Sequence, residues 1–265
     1  MRIGEDVRRF AEDPGAYGEI DPRSGLTRIL TDRYCLLLGP VPSFTSVSRI
    51  RLEPETVAET IAEIRALAAK HEHREAMWWV GSSATPNDVV DLLRAHGLVP
   101  DERPGSEPHA ASLVLVEEPA RVDGVDARRV ASLEEFRLAN AIAHEAFETP
   151  EEDRRAWEEI AGERYEAERA GWSPRTYLAW LDGEPVATAR ALFEDDCPAV
   201  LMIGGSVLPA ARGRGVYRAL VRARWDDADG KPLCTHAGAL SRPILERLGF
   251  QTVAEQELLL DPATC

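Results

Sequence analysis

The chain has 265 residues, of which 44% are hydrophobic and 29% are charged, and its net charge is −15. This composition is typical of a globular protein with enough apolar mass for a core, and the length predicts about two domains, with one large domain as the alternative. The acidity disfavours nucleic acid as a partner, because such a surface repels phosphate backbones. The same acidity would attract cationic small molecules, and it would equally serve solubility alone.

The sequence lacks the usual signals for export or membrane insertion. The first residues, MRIGEDVRRFAEDPG, contain no apolar core of a secretory signal, and no run approaches the roughly 18 apolar residues of a membrane span. The four cysteines are scattered and form no CxxC pair. We therefore expect a cytoplasmic protein with no membrane partner, no disulfide framework and no metal site.

The N-terminal half alternates short apolar segments with amphipathic ones. Strands are predicted at 33–41, 46–52, 76–82 and 111–119, and helices at 54–73 and 86–97. Residues 1–30 are polar and receive no assignment. The Pro-rich segment 100–110 is typical of a linker or a hairpin arm.

From about residue 120 the pattern restarts. Strands are predicted at 125–130, 175–183, 184–196, 199–208, 232–238 and 250–260, and helices at 132–147, 150–171, 215–229 and 241–249. Asp182-Gly183 predicts a hairpin turn, and Ser132 followed by Glu135 predicts a capped helix start. The order predicts an α/β fold with a mixed, mostly antiparallel central sheet flanked by helices.

The segment Leu208–Leu220, LPAARGRGVYRAL, places two arginines and two glycines where a helix begins. The first N–H groups of a helix lack intrahelical acceptors, and the helix dipole adds positive charge there. Glycines let several N–H groups curl around one anion, and the guanidiniums of Arg212 and Arg214 match phosphate oxygens. The loop therefore predicts a pyrophosphate-binding site.

Gly204-Gly205 interrupts the apolar strand that precedes this loop. Glycine inside a strand often marks a bulge or a close approach of another backbone. Such a break would free the N–H and C=O groups of residues 206–208 to bind an extended, amide-bearing ligand like an added strand. A diphosphate on a helix start and an amide-rich arm along a strand together describe coenzyme A.

VLPAARGRGVYRAL resembles the acetyl-CoA signature of the GCN5-related N-acetyltransferase (GNAT) superfamily, Gln/Arg-x-x-Gly-x-Gly/Ala, with Arg212 in the first place and Gly215 in the fourth. SRPILERLGF, at 241–250, resembles a later helix-to-strand segment of that family. The resemblance covers roughly residues 120–265 and implies an opening between the fourth and fifth strands where acetyl-CoA lies. The residues expected to bind it are Val207, Leu208, Arg212, Gly213, Arg214, Gly215, Val216, Tyr217 and Ser241.

Three positions depart from the family pattern. Tyr217 stands where a small residue is usual, so its ring must point away from the phosphates. Leu245 stands where many members carry the Tyr that protonates the leaving thiolate, and Gly238 stands where an Asn is frequent. No catalytic residue is assigned. The open candidates for the proton acceptor are His144 and Glu145, with solvated helix-end residues as the alternative, and His236, with a core histidine as the alternative.

The resemblance implies an acetyl-CoA-dependent N-acetyltransferase that acts on a small amine, with a cationic amine favoured by the acidity. The amine would attack the thioester directly, and the N–H of Val207 would stabilise the oxyanion. A non-catalytic CoA-binding sensor, which the leucine at 245 keeps open, and a protein-directed acetyltransferase are the alternatives. A homodimer also stays open.

The N-terminal half repeats the order of strand, helix, strand and short helix, which suggests an ancient duplication. Its segment PETVAET (54–60) puts glutamates where the second half has the Arg-Gly loop. We therefore predict that residues 1–118 form a degenerate lobe of the same type without its own cofactor, and that residues 119–265 form the GNAT domain. A different small α/β domain is the alternative for the first half.

Overall fold

The computed structural model describes residues 2–21, 24–41, 43–103, 106–172 and 174–262. Within these ranges there are eight α-helices: α1 (Glu5–Glu12), α2 (Val57–Lys70), α3 (Val89–Ala95), α4 (Leu133–Ala146), α5 (Glu151–Glu159), α6 (Ala161–Arg169), α7 (Val216–Asp226) and α8 (Arg242–Arg247). The strands of the same ranges are β1 (Thr27–Leu30), β2 (Cys35–Leu38), β3 (Thr45–Ser48), β4 (Ala76–Gly81), β5 (Val99–Pro100), β6 (His109–Leu115), β7 (Val125–Arg129), β8 (Arg175–Leu181), β9 (Glu184–Leu192), β10 (Val200–Val207), β11 (Leu233–Ala237) and β12 (Gln251–Asp261). None of the described helices is both long and apolar enough to cross a membrane.

The strands form one mixed sheet. Their order is β1-β2-β3-β4-β12-β6-β11-β10-β9-β8-β7, and β5 pairs with β12 beside this path. Among the named strands of the described residues, only two pairs are parallel, β3 with β4 and β10 with β11. The predicted fold class, a mostly antiparallel sheet flanked by helices with a second lobe of similar type, is confirmed.

The two halves share one connectivity and exchange a strand. The parallel pairs are joined by a helix in each half, as β3-α2-β4 and β10-α7-β11, and a short helix follows each pair. β6 comes from the first half but lies between β11 and β12, whereas β12 comes from the second half and pairs with β4. The sheet is thus continuous across the domain boundary predicted at 118–119, which stays a prediction.

Each half has its own apolar core. In the second half, the small side chains of Ala187, Ala189 and Ala191 on β9 pack in one cluster with Val216 and Leu220 of α7. Alanines on a strand leave room for a helix to lie close to the sheet, which fixes the start of α7 against β10. The core of the first half centres on the buried ring of Trp78, packed with α2 and α3.

Local signals predicted several elements correctly. Asp182 and Gly183 both have positive φ, 55° and 86°, as a two-residue hairpin turn of the predicted kind requires. The hydroxyl of Ser132 accepts a hydrogen bond from Glu135 N at 3.1 Å and caps α4.

Two assignments were incomplete. The segment 150–171 forms two helices, α5 and α6, that meet at Ile160, instead of one. Residues 1–30 contain α1, whose Val7 and Phe10 are buried against β6 and β11 through Val114 and Cys234. The spacing of Ile3, Val7, Phe10 and Ala11 was the available signal for this helix.

A buried ion pair joins α2 to the last strand, and its loss should be costly. Arg65 donates from Nε and Nη2 to the carboxylate of Asp261 at 2.9 Å, and the Asp261 side chain is fully buried. We expect Arg65→Met to lower the free energy of unfolding by about 3–5 kcal/mol, because a buried carboxylate loses its cation. Urea denaturation followed by circular dichroism measures this loss.

The control is Arg9→Met, which removes an exposed Arg9–Glu5 pair on α1. That variant should stay within about 0.5 kcal/mol of the wild type. Equal losses in the two variants would contradict a stabilising role for the Arg65–Asp261 pair.

Candidate active site

β10 and β11 part in the middle of the sheet. The two strands pair only at Val200↔Leu233 and Leu201↔Cys234, although β10 continues to Val207 and β11 to Ala237. The rest of β10 therefore presents a free backbone edge toward β11. This is the V-shaped opening that the family resemblance implies.

The predicted bulge lies inside this opening. Ile203 pairs with Arg190 of β9 and Ser206 pairs with Thr188, so Gly204 and Gly205 together oppose Ala189. Gly204 has a φ of +59°, which a residue with a Cβ adopts at a cost. Because the bulge adds one residue to β10, the residues after it point the opposite set of backbone N–H and C=O groups toward the opening from the set that a regular strand would.

The bulge turns the backbone of Val207 into the opening. Leu208 N donates to Val186 O of β9 at 2.9 Å, so Leu208 faces β9. Backbone groups of neighbouring strand residues point in opposite directions, and those of Val207 therefore point away from β9. Its carbonyl oxygen accepts from Arg212 Nε at 3.2 Å, and its N–H is directed toward the space between the strands.

The loop after β10 collects free donors, as predicted. Gly213 and Gly215 have φ values of +75° and +82°, and Gly215 precedes α7 without a side-chain cap. A Cβ on Gly215 would lie 2.9 Å from Val122, so only glycine fits there. In the described parts of the chain, no acceptor bonds the N–H groups of residues 213–218. Such a concave set of N–H groups at a helix start suits a diphosphate.

The ring of Tyr217, a residue that is large for its place in the signature, points away from the N–H groups of the loop. It packs against Gly205, where a Cβ would lie only 2.9 Å from Tyr217 Cε2, and it joins the core of the second half. The ring is therefore directed at the sheet, and the loop N–H groups are not covered by it.

The remaining predicted cofactor residues lie around the same opening. Arg214 pairs with Asp182 of the β8-β9 turn at 2.9 Å, and because both side chains are exposed this pair is easily exchanged for a ligand. Leu208 packs beside α4. Ser241 stands at the start of α8, beyond the end of β11, and its hydroxyl makes no capping bond.

The β11 side of the opening holds a carboxylate from the first half of the chain. Glu107 accepts hydrogen bonds from the backbone N–H groups of Ala239 and Leu240. A Cβ at Gly238 would lie 2.4 Å from Glu107 Oε2, so the glycine makes room for this carboxylate. Sequence reasoning missed Glu107 because the segment 100–110 carries no signal for its partner. Leu245 is buried in the core, 1% exposed.

Of the candidate proton acceptors, His236 has a structural role. Its ring stacks on Trp79 at 4.9 Å, and Nε2 lies 2.8 Å from Ala11 O. Glu145 is exposed on α4. His144 lies near the end of α4, which packs on β9 and β10, and its pKa is lowered by burial and by the charges of Arg190, Arg154 and Arg164. The lowered pKa favours the neutral form of His144, which is able to accept a proton.

Residues 137–250 match the model of the acetyltransferase (GNAT) family. This segment belongs to the GNAT superfamily. Members of that family are acetyltransferases that use acetyl-CoA, and the opening between β10 and β11, the bulge and the loop all lie inside the matched GNAT segment. Among the described residues, no group of three or more His, Cys, Asp or Glu side chains is arranged to hold a metal ion.

Solved structures extend the likeness to both lobes. A GCN5-related N-acetyltransferase from Kribbella flavida is 22% identical, covers 97% of this chain and 96% of its own, and has a TM-score of 0.67. A conserved protein of unknown function from Staphylococcus epidermidis is 14% identical over 90% and 95% of the two chains, with a TM-score of 0.65. A tandem GNAT protein from the clavulanic acid biosynthesis pathway is 17% identical over 86% and 78%, with a TM-score of 0.57. These likenesses show the two-lobed GNAT fold. No curated protein sequence matches the chain.

The loop makes a direct prediction about cofactor affinity. Arg212 is exposed and its guanidinium lies at the opening, bonded to Val207 O. Arg212→Glu should lower the affinity for CoA about 10- to 100-fold, because it removes a charge-assisted contact and adds repulsion. The melting temperature should stay nearly unchanged, since the side chain is not buried. Calorimetric titration with CoA measures the affinity.

Arg9→Glu on α1 is the matched control, because it makes the same charge change at an exposed helix position that is not part of the loop. It should leave CoA affinity as in the wild type. An Arg212→Glu protein that is folded and binds CoA normally would rule out the loop as the diphosphate site.

Proposed function

We propose that this chain is an acetyl-CoA-dependent N-acetyltransferase that acts on a small amine. The observation that carries the proposal is the parting of β10 and β11 next to a loop whose N–H groups have no described acceptor. The opening offers both an edge strand for amides and a helix start for phosphates. The net charge of −15 favours an amine that arrives as a cation.

Each part of the opening has its own role in binding and reaction. The loop from Arg212 to Tyr217 holds the diphosphate, and the free edge of β10 bonds the amide-bearing arm. The bound acetyl-CoA supplies an activated thioester. The N–H of Val207 donates to the thioester oxygen, where negative charge develops.

The overall reaction forms an amide C–N bond and breaks the thioester C–S bond, so one proton must move from the amine to the departing sulfur. Leu245 has no proton to give, and solvent takes that role. We assign removal of the amine proton to His144, directly or through a water molecule. The lowered pKa of its imidazole and its place on α4, the helix that packs on β9 and β10, support this role.

One assay separates this function from its alternatives. The protein is incubated with acetyl-CoA and a panel of small amines, lysine peptides and free N-terminal peptides, and thiol release is followed. Release with small amines supports the proposal. CoA binding without release from any acceptor would favour a sensor, and release with peptides alone would favour a protein-directed enzyme.

The pH dependence tests the base. His144→Gln should lower kcat/KM about 100-fold or more, which is the usual contribution of a general base, while CoA affinity is kept. In the wild type, kcat/KM should fall with acidity through a pKa below the ordinary 6.5 of histidine, since the neutral ring is the active form. That acid limb should vanish in His144→Gln.

Glu145→Gln, at the exposed neighbour, is the control and should keep the acid limb. A limb that survives in His144→Gln, or that vanishes only in Glu145→Gln, would move the proton acceptor away from His144.

A further inference from the structure

A cluster of polar side chains lies under α4, on the face of the sheet that α7 does not cover. Asn140 of α4, Glu168 of α6, Arg190 of β9 and Ser206 of β10 form this polar cluster. Arg190 alternates with Ala189 and Ala191, which belong to the α7 core, so it points to the other face. Asn140, Glu168 and Ser206 are 4%, 5% and 7% exposed.

The polar cluster has unused hydrogen-bonding capacity. Nine buried side-chain nitrogen or oxygen atoms of the described residues lack a partner, and four are in this cluster: Asn140 Nδ2, Glu168 Oε2, Arg190 Nε and Ser206 Oγ. A polar atom that is left unbonded in the interior is destabilising. Their concentration in one place indicates a site that a polar ligand completes.

Arg190 is the charged centre of the cluster. Arg190 is partly exposed, and its Nη2 donates to Asn140 Oδ1 at 2.5 Å. Glu168 is the described carboxylate that interacts with it electrostatically, without forming a direct ion pair. Arg65, by contrast, has a buried carboxylate as its partner. Burial lowers the pKa of Arg190, yet a guanidinium keeps its charge at neutral pH. Because the interaction with Glu168 is not a direct ion pair, the unbonded Nε of Arg190 stays available to an incoming carboxylate.

The cluster is reached from the opening. Ile203 pairs directly with Arg190, so the two side chains share one face, and Ile203 is 38% exposed. This exposed point immediately precedes the Gly204-Gly205 bulge that turns Val207 N–H inward. A small molecule bound at Arg190 therefore lies next to the reacting end of the opening.

We propose that Arg190, held by Asn140, binds a carboxylate of the acceptor, so that the amine substrate is an amino acid or a similar amino-carboxylate. This inference rests on the proposed acetyltransferase function and specifies its substrate class. The guanidinium offers a fork for the two carboxylate oxygens, and Asn140 Nδ2 and Ser206 Oγ are free to add donors. A zwitterion also suits a protein of net charge −15 better than a net anion does.

The test compares amino acids with their own carboxamides, which keep the amine and lose the carboxylate charge. The probes are glycine, phenylalanine, glutamate and lysine, each beside its α-amide, and both thiol release from acetyl-CoA and the melting temperature are measured. The wild type should favour the acid of its preferred pair about 10- to 100-fold in kcat/KM. Arg190→Met should abolish that preference and keep CoA affinity.

Stability supplies a readout that needs no substrate. Arg190→Met should lower the melting temperature less than Arg65→Met does, because Arg190 makes no direct ion pair whereas Arg65 bonds a fully buried carboxylate. A fall in Arg190→Met as large as that in Arg65→Met would make Arg190 a structural residue and overturn the inference.

The outcomes also separate this inference from the function on which it rests. If the amino acids raise the melting temperature more than their amides do but no thiol is released, the carboxylate site is supported and the acetyltransferase function is contradicted. If thiol release is equal for the acids and the amides, the acetyltransferase function is supported and the carboxylate site is contradicted. The absence of any acid-over-amide difference, in melting temperature or in turnover, overturns the inference.

Discussion

The separation of β10 from β11 is the constraint on which the site depends. Parallel strands bond evenly along their length, and strands that part leave N–H and C=O groups unpaired at a cost. Two side chains offset part of that cost, because they donate hydrogen bonds to freed carbonyl oxygens of β10. Thr235 Oγ1 donates to Met202 O at 3.0 Å where the strands diverge, and Arg212 Nε donates to Val207 O at 3.2 Å where β10 ends. What remains unbonded is the set of groups that an extended ligand can use.

The first half shows the same topology without the opening. β3 and β4 also pair in parallel over two residues, but their backbones remain bonded beyond the strands. Thr85 N donates to Ile50 O at 3.1 Å, and Leu52 N donates to Thr85 O at 2.9 Å. This bridge between residues 51 and 85 continues the pairing past the strand ends, and the following helical turn begins with Glu53 instead of an Arg-Gly loop. One connectivity thus leads to parted strands in one half and to a renewed pairing of the two segments in the other.

What the sequence predicted correctly was local. The glycines at 204–205 and 213–215 specify backbone conformations through their own lack of a Cβ, so the bulge and the loop could be found without knowing their neighbours. Glu107 and Arg190 could not be found in this way. Their roles depend on strands and helices brought together from distant parts of the chain, and neither lies in a motif. The exchange of β6 and β12 was hidden for the same reason, since alternation defines a strand but not its partner.

That exchange gives the first lobe a part in the site. Glu107 comes two residues before β6, and β6 lies between β11 and β12. The pairing of β6 with β11 therefore carries Glu107 to the end of β11, where Gly238 leaves space and the N–H groups of residues 239–240 receive its carboxylate. A strand from the first half of the chain thus positions Glu107 on the β11 side of the opening. Without β6, β11 would lose its antiparallel neighbour and the turn before α8 would lose the Glu107 carboxylate, so the shape of the opening depends on a segment from the first half of the chain.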